Sequence, residues 1–289
     1  MDCRLPDITV HYEAFGEGRP LIVLPGWPDD WRVPADYLEP LFRDRTGWRR
    51  VYLDLPGRGQ TKGEPWITSN DQVLEIVLDV LGLIIPDERF VLAGHSAGAY
   101  LARAVLNRRA GMVDGLLQVV PVMDPLESDE ALPQPVTLVP DETLMARIEA
   151  ELGPELAAVF ARRLVVQSPH VYERFKALLP GIQQHDEAFL ARLGLHETLS
   201  FDVDRLAAPF RGPALFLLGR QDAVVGYRTA LDLIENYPRA TVAVLDRAGH
   251  GLPWEQEDLF MALAREWLAR VEEATAIPGQ AVSRAMRSC

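Results

Sequence analysis

The sequence has little cysteine and no long apolar run. Its two cysteines, Cys3 and Cys289, stand near opposite ends of 289 residues, outside any CxxC or Cys/His spacing of a zinc site. We expect neither a disulfide framework nor a metal site. No apolar run reaches the roughly 18 residues that a membrane span needs, and the first residues lack the basic and apolar segments of a secretory signal. These absences predict a soluble, cytoplasmic protein.

Positive charge is also scarce. The chain has 29 lysines and arginines against 42 aspartates and glutamates, a formal net charge of −13. Such a charge repels phosphate backbones and anionic membranes, so neither nucleic acid nor a membrane is expected as a partner. The arginine clusters at 43–50 and 108–109 lack interleaved aromatic residues, and we interpret them as solvated faces.

Short apolar segments alternate with longer segments of helical period, which predicts an α/β fold. Strands are predicted at 8–15, 21–24, 51–55, 90–93, 115–120, 214–218 and 241–245. Helices between or after them are predicted at 70–85, 99–109, 227–237 and 255–271. Ser69 or Asn70 is the expected N-cap of the first of these helices.

The alternation stops between residues 124 and 205. Helical patterns fill this stretch, at 141–151, 154–166, 170–179 and 187–199. It holds 15 acidic and 7 basic residues, so it carries −8 of the net −13. We therefore predict a core formed by residues 1–123 and 206–289, interrupted by a helical cap at 124–205.

The sequence Gly94-His95-Ser96-Ala97-Gly98 matches G-x-S-x-G between a predicted strand and a predicted helix. A sharp turn there would expose the Ser96 hydroxyl, and the glycines would leave room for the neighbouring strand and helix. The Ala97 N–H would point toward the same small volume, at the positive end of a helix. The alternative is a glycine-flanked serine at an ordinary helix N-cap.

A serine nucleophile needs a base, and the base needs a carboxylate. Of the six histidines, only His250 follows a predicted core strand on a glycine-flanked loop; the others are His11, His95, His170, His185 and His196. Asp222 follows the strand at 214–218, and Asp124 is its competitor because it follows the strand at 115–120. Surface histidines and turn-forming aspartates are the ordinary alternatives at these positions.

Together with the segment Asp54-Leu55-Pro56-Gly57-Arg58-Gly59, the motifs around Ser96, Asp222 and His250 resemble the α/β-hydrolase superfamily. The resemblance implies a mostly parallel central sheet flanked by helices, with a cap inserted after the sixth strand. It also implies a Ser96–His250–Asp222 triad. The sequence contains neither a nucleotide-binding loop nor an HExxH motif, so no cofactor is expected.

The resemblance further implies an oxyanion hole formed by two backbone N–H groups, those of Trp27 and Ala97. In the loop Leu24-Pro25-Gly26-Trp27-Pro28-Asp29, a proline stands at 25 where histidine is usual in the superfamily. Pro28 has no N–H and cannot donate. The loop lacks the HGGG form, so the chain does not resemble the hormone-sensitive-lipase-like esterases.

These features predict a serine hydrolase that cleaves an ester or related acyl compound of a small-to-medium apolar substrate. Lactone, carbon–carbon bond or haloperoxidase-like perhydrolase chemistry with the same triad stays open, as does a small-molecule receptor. The presence of all three triad residues favours an enzyme over a receptor. Ser96 at the elbow argues against dehalogenase and epoxide hydrolase chemistry, which use an aspartate nucleophile. The acidic cap also suggests a homodimer.

Overall fold

The computed structural model describes residues 1–126, 128, 132–194 and 198–276. The strands are β1 (Asp2–Arg4), β2 (Thr9–Phe15), β3 (Arg19–Leu24), β4 (Trp48–Leu53), β5 (Phe90–His95), β6 (Val113–Val119), β7 (Ala214–Gly219) and β8 (Ala240–Leu245). The helices are α1 (Arg32–Leu38), α2 (Asn70–Ile84), α3 (Ala97–Arg109), α4 (Glu142–Leu152), α5 (Pro154–Arg163), α6 (Pro169–Gln183), α7 (Glu187–Leu193), α8 (Thr229–Asp232), α9 (Leu252–Glu255) and α10 (Glu257–Thr275).

The eight strands form one sheet in the order β1-β2-β4-β3-β5-β6-β7-β8. The β1–β2 and β2–β4 pairs are antiparallel, and all other pairs are parallel. The carboxyl ends of the parallel strands therefore meet at one edge of the sheet, where α/β folds place their ligands. The predicted α/β class and the mostly parallel sheet are confirmed.

Successive residues of a strand face opposite sides of the sheet, and β3 shows both sides buried. Ile22 and Leu24 pack into a cluster with α2 and α3, whereas Leu21 and Val23 pack into a second cluster with α1 and α10. Helices thus cover both faces, which explains why the central strands are apolar throughout.

Helices α4 to α7 lie between β6 and β7, after the sixth strand of the chain. They bury a cluster of their own that includes Ile148, Phe160, Tyr172 and Phe175, with Trp254 packed against it. The segment predicted as the cap therefore has a small core of its own. Among the described residues, no helix is both long enough and apolar enough to cross a membrane.

Several predicted boundaries were wrong. The helix predicted at 227–237 is only α8 followed by a 3₁₀ turn at Ile234–Asn236, and the one predicted at 255–271 is divided into α9 and α10 at Gln256. The helix predicted at 187–199 ends at Leu193, because Gly194 has a φ of 80°; residues 195–197 lie outside the described residues. Ser69 is the N-cap of α2, in a capping box with Gln72.

Candidate active site

Ser96 lies on a sharp turn between the end of β5 and the start of α3. Its φ of 53° and ψ of −120° are strained for a residue with a side chain. A Cβ at Gly94 would lie 2.4 Å from the Ala99 Cα, and one at Gly98 would lie 2.2 Å from the Pro25 carbonyl oxygen. The two glycines are therefore required for the strand, turn and helix to pack this closely.

The turn brings Ser96 against His250 and Asp222, which follow β8 and β7 at the same edge of the sheet. The Ser96 Oγ lies 3.1 Å from the His250 Nε2, and the His250 Nδ1 lies 2.9 Å from the Asp222 Oδ2. All three side chains are buried. With Nδ1–H donating to the carboxylate, Nε2 is left to accept the serine proton, as a general base must.

The backbone fixes the Asp222 carboxylate in this position. Its Oδ1 accepts hydrogen bonds from the Val224 N–H at 2.9 Å and the Val225 N–H at 3.1 Å. The competitor Asp124 instead accepts from the Leu126 N–H at 2.8 Å. The structure thus brings Asp222, and not Asp124, to the imidazole of His250.

The loop after β3 passes close to the serine. A Cβ at Gly26 would lie 2.8 Å from the Asp29 Oδ2 and 3.2 Å from the Ser96 Cβ, so glycine gives this loop the room that its approach to the serine needs. Within the described residues, neither the Trp27 N–H nor the Ala97 N–H donates to a protein acceptor. Both N–H groups are therefore available to donate to a ligand, as the predicted oxyanion hole requires.

The model of the alpha/beta hydrolase family matches residues 21–263. The chain belongs to the alpha/beta hydrolase family. It is 27% identical over 286 residues to a 2-hydroxy-6-oxononadienedioate/2-hydroxy-6-oxononatrienedioate hydrolase of Burkholderia vietnamiensis, covering 91% of this chain and 92% of the relative.

Two further similarities extend over nearly the whole chain. A pimeloyl-[acyl-carrier protein] methyl ester esterase of Legionella pneumophila is 23% identical, with 90% of this chain and 100% of the relative covered. The crystal structure of an alpha/beta superfamily hydrolase from Oenococcus oeni superposes with a TM-score of 0.83 at 26% identity, covering 94% of this chain and 99% of that one. The predicted fold is confirmed, and so is the prediction that the protein is a hydrolase of this family.

The remaining described histidines of this alpha/beta hydrolase do not contact the serine. His11 and His170 contact carboxylates elsewhere on the molecule, and His185 lines the cavity described below. His196 lies outside the described residues. Among those residues, no group of three His, Cys, Asp or Glu side chains is arranged to hold a metal ion.

His95, inside the elbow, forms a buried pair with Asp29 at 3.5 Å. Burial lowers the pKa of His95, so its imidazole is neutral. Burial would raise the pKa of Asp29, but the contact with His95 and the charge of Arg163 outweigh it and hold this pKa below its ordinary value. The His95 ring centroid lies 5.7 Å from that of His250. A neutral ring there does not repel a charged His250.

Glu255 is a residue that the sequence patterns did not single out. Its Oε1 accepts from the Val165 and Val166 N–H groups at 2.5 and 2.9 Å, and its Oε2 accepts from the Gly249 N–H at 2.7 Å. One carboxylate therefore joins the cap to the residue before His250. Burial raises the pKa of Glu255 to about 7, against the opposing effect of these hydrogen bonds.

A cavity of about 440 Å³ opens onto Ser96 and His250, between the sheet edge and the cap. Most of its walls are apolar, and they include Trp27, Pro28, Val122, Leu132, Leu190 and Val224. The Trp27 ring forms one wall and also stacks under the Arg58 guanidinium, 4.7 Å from the ring centroid. A cavity of this size and character suits a small ligand with an apolar body.

Proposed function

We propose that this alpha/beta hydrolase cleaves carboxylic esters, or related acyl compounds, of small-to-medium apolar substrates through an acyl-enzyme on Ser96. The observation that carries the proposal is the hydrogen-bond chain from Asp222 through His250 to Ser96, which ends at the apolar cavity. A serine hydroxyl is a poor nucleophile unless an adjacent base takes its proton.

In the proposed first step, the Ser96 Oγ attacks the substrate carbonyl while the His250 Nε2 takes the hydroxyl proton. Asp222 accepts from the Nδ1–H and stabilises the imidazolium. The Trp27 and Ala97 N–H groups donate to the oxyanion, each contributing about 3 kcal/mol to the stabilisation of the transition state. The first turn of α3 adds its positive end to the same charge.

His250 then protonates the leaving group, which departs as an alcohol. In the second half-reaction His250 takes a proton from water, the resulting hydroxide attacks the acyl carbonyl, and Ser96 recovers its proton as the acid leaves. No cofactor takes part in these steps.

Carbon–carbon bond hydrolysis by the same residues is the second candidate. The substrate named for the Burkholderia vietnamiensis relative is a hydroxy-oxo dienedioate, a compound without an ester group. The Legionella pneumophila relative is named as an esterase, so the relatives leave both chemistries to be tested.

Hydrolysis of p-nitrophenyl esters from C2 to C12 tests the proposal. We expect Ser96→Ala to lower kcat/KM by at least 10³-fold, since removal of a triad nucleophile lowers kcat by up to about 10⁶-fold. Ser200→Ala is the matched control, because Ser200 is an exposed serine that bonds to Asp71. The acyl chain length with the highest kcat/KM indicates the length of the acyl site. Ester turnover that survives in Ser96→Ala would refute the proposal, and turnover of dienedioates alone would select the second candidate.

A further inference from the structure

One cation faces the largely apolar cavity beside the candidate nucleophile. Arg163 is the last residue of α5 and lines the cavity together with Ser96 and His250. Its side chain is half-buried, and within the described residues its guanidinium has no hydrogen-bonded or ion-paired partner. By contrast, ten other arginines in the described ranges contact a carboxylate.

The backbone of Arg163 is attached directly to the candidate base. The His250 N–H donates to the Arg163 carbonyl oxygen at 2.9 Å, and a Cβ at Gly249 would lie 2.6 Å from the same oxygen. The positive charge of Arg163 also contributes to lowering the pKa values of Asp29 and His95, which are both buried. The backbone of Arg163 is therefore held beside the candidate base, and its positive charge acts on buried groups close to the nucleophile.

A half-buried guanidinium without a partner keeps donors free for an anion. Arginine presents them as a planar fork that matches a carboxylate, and charge-assisted bonds of this kind are stronger where water is partly excluded. Two carboxylates, Asp124 and Glu187, also line the cavity, but both residues are exposed to solvent. Solvent screens charges on exposed residues more strongly than the charge of a half-buried residue, so Arg163 is the lining residue that attracts an anion.

We propose that Arg163 is a specificity residue that binds a carboxylate of the substrate, so that the substrate is an ester with an apolar body and one anionic group. This inference rests on the proposed function, because it names the substrate class for the same site. Arg163 takes no part in bond breaking and acts by binding alone.

The test compares three esters: phenyl butyrate, its analogue with a carboxylate on the acyl chain (monophenyl glutarate), and its analogue with a carboxylate on the leaving group (3-carboxyphenyl butyrate). In the wild type, at least one charged ester should be preferred over the neutral one. Arg163→Gln should lower the charged-to-neutral ratio of kcat/KM at least tenfold, as expected for losing a charged hydrogen bond. Its kcat/KM for phenyl butyrate should change less than threefold.

Arg162→Gln is the matched control, because it removes the same charge from the neighbouring exposed residue of the same helix. Its ratio should equal that of the wild type, and Arg163→Lys should keep part of the preference. An equal loss for charged and neutral esters in Arg163→Gln, or an equal drop of the ratio in Arg162→Gln, would overturn the inference. So would a wild type without preference for either charged ester.

A binding measurement separates this inference from the proposed function. Glutarate is titrated into Ser96→Ala protein with and without Arg163→Gln, which requires no turnover. Binding that weakens at least tenfold in the double variant supports the carboxylate site even where no ester is hydrolysed. Equal binding to both proteins, or binding to neither, would overturn it.

Discussion

Replacing Glu255 by glutamine tests how strongly the cap is attached to the loop of the candidate base. Both carboxylate oxygens accept backbone N–H groups, from Val165 and Val166 on the cap side and from Gly249 on the core side. Glutamine has one oxygen, so its NH₂ group must face a donor on one of the two sides. An N–H left without an acceptor costs about 1–3 kcal/mol.

The pH dependence of this cost is set by the pKa of Glu255. Burial raises this pKa from its ordinary value of 4.5 to about 7 in the folded protein. The folded state therefore holds the proton more tightly than the unfolded state does. The resulting stabilisation is fully present below pH 4.5 and is lost as the pH rises through about 7. A difference of one pKa unit between the folded and unfolded states corresponds to about 1.4 kcal/mol, so the stabilisation amounts to about 3 kcal/mol. Partial exposure of Glu255 to solvent reduces it to about 2 kcal/mol.

Urea unfolding of the wild type and Glu255→Gln at pH 5, 6, 7 and 8 measures this effect. Other titrating groups contribute nearly equally to both proteins, so the difference between their free energies of unfolding isolates Glu255. We expect that difference to shrink by about 2 kcal/mol between pH 5 and pH 8. Glu235→Gln, which changes an exposed glutamate, should shift it by less than about 0.5 kcal/mol.

A difference that grows with pH would refute this reasoning. It would mean that the three N–H groups outweigh burial, so that the folded protein binds the proton of Glu255 less tightly than the unfolded chain does. A difference that does not change with pH would show that Glu255 has the same pKa in both states.

Two further predictions concern the carboxylate partner and the elbow. Asp222→Asn should lower kcat/KM for p-nitrophenyl esters about 10⁴-fold, because it destabilises the tautomer in which the His250 Nε2 can accept a proton. Asp124→Asn should lower kcat/KM less than tenfold. If Asp124→Asn lowers it as much as Asp222→Asn does, Asp222 is not the sole acid. Gly98→Ala should lower the free energy of unfolding by about 3 kcal/mol or prevent folding, because its Cβ would lie 2.2 Å from a backbone oxygen. Gly111→Ala, whose Cβ would meet nothing within 4 Å, should change it by less than about 0.5 kcal/mol in the same urea experiment.

The parts of the fold that the sequence predicted are those specified by local patterns. Strand β5, the elbow and α3 follow one another directly, and an apolar run, two glycines and a helical period mark them within twenty residues. All seven predicted strands exist, with ends that differ by at most three residues. Strand ends depend on where neighbouring strands stop pairing, which a single-sequence pattern does not contain.

The elements that were missed are stabilised by distant parts of the chain. Strand β1 is three residues long and exists through its pairing with β2. Helix α1 has only seven residues, too few to be stable alone, and buries Val33, Tyr37 and Leu38 against the sheet and α10. Neither element has a local signal strong enough to predict it, because most of its stability comes from tertiary packing.

The candidate site also contains some residues that could be predicted from the sequence and others that could not. The nucleophile, base and acid each follow a strand, so their order and their meeting at one edge of the sheet could be predicted. Glu255 and Arg163 could not, because their surroundings depend on where the cap lies over that edge. Both act on the loop of His250: Glu255 holds the Gly249 N–H, and the Arg163 carbonyl oxygen holds the His250 N–H. The geometry of the candidate base is thus set partly by the backbone of segment 163–166, whereas the Arg163 side chain bears on substrate choice.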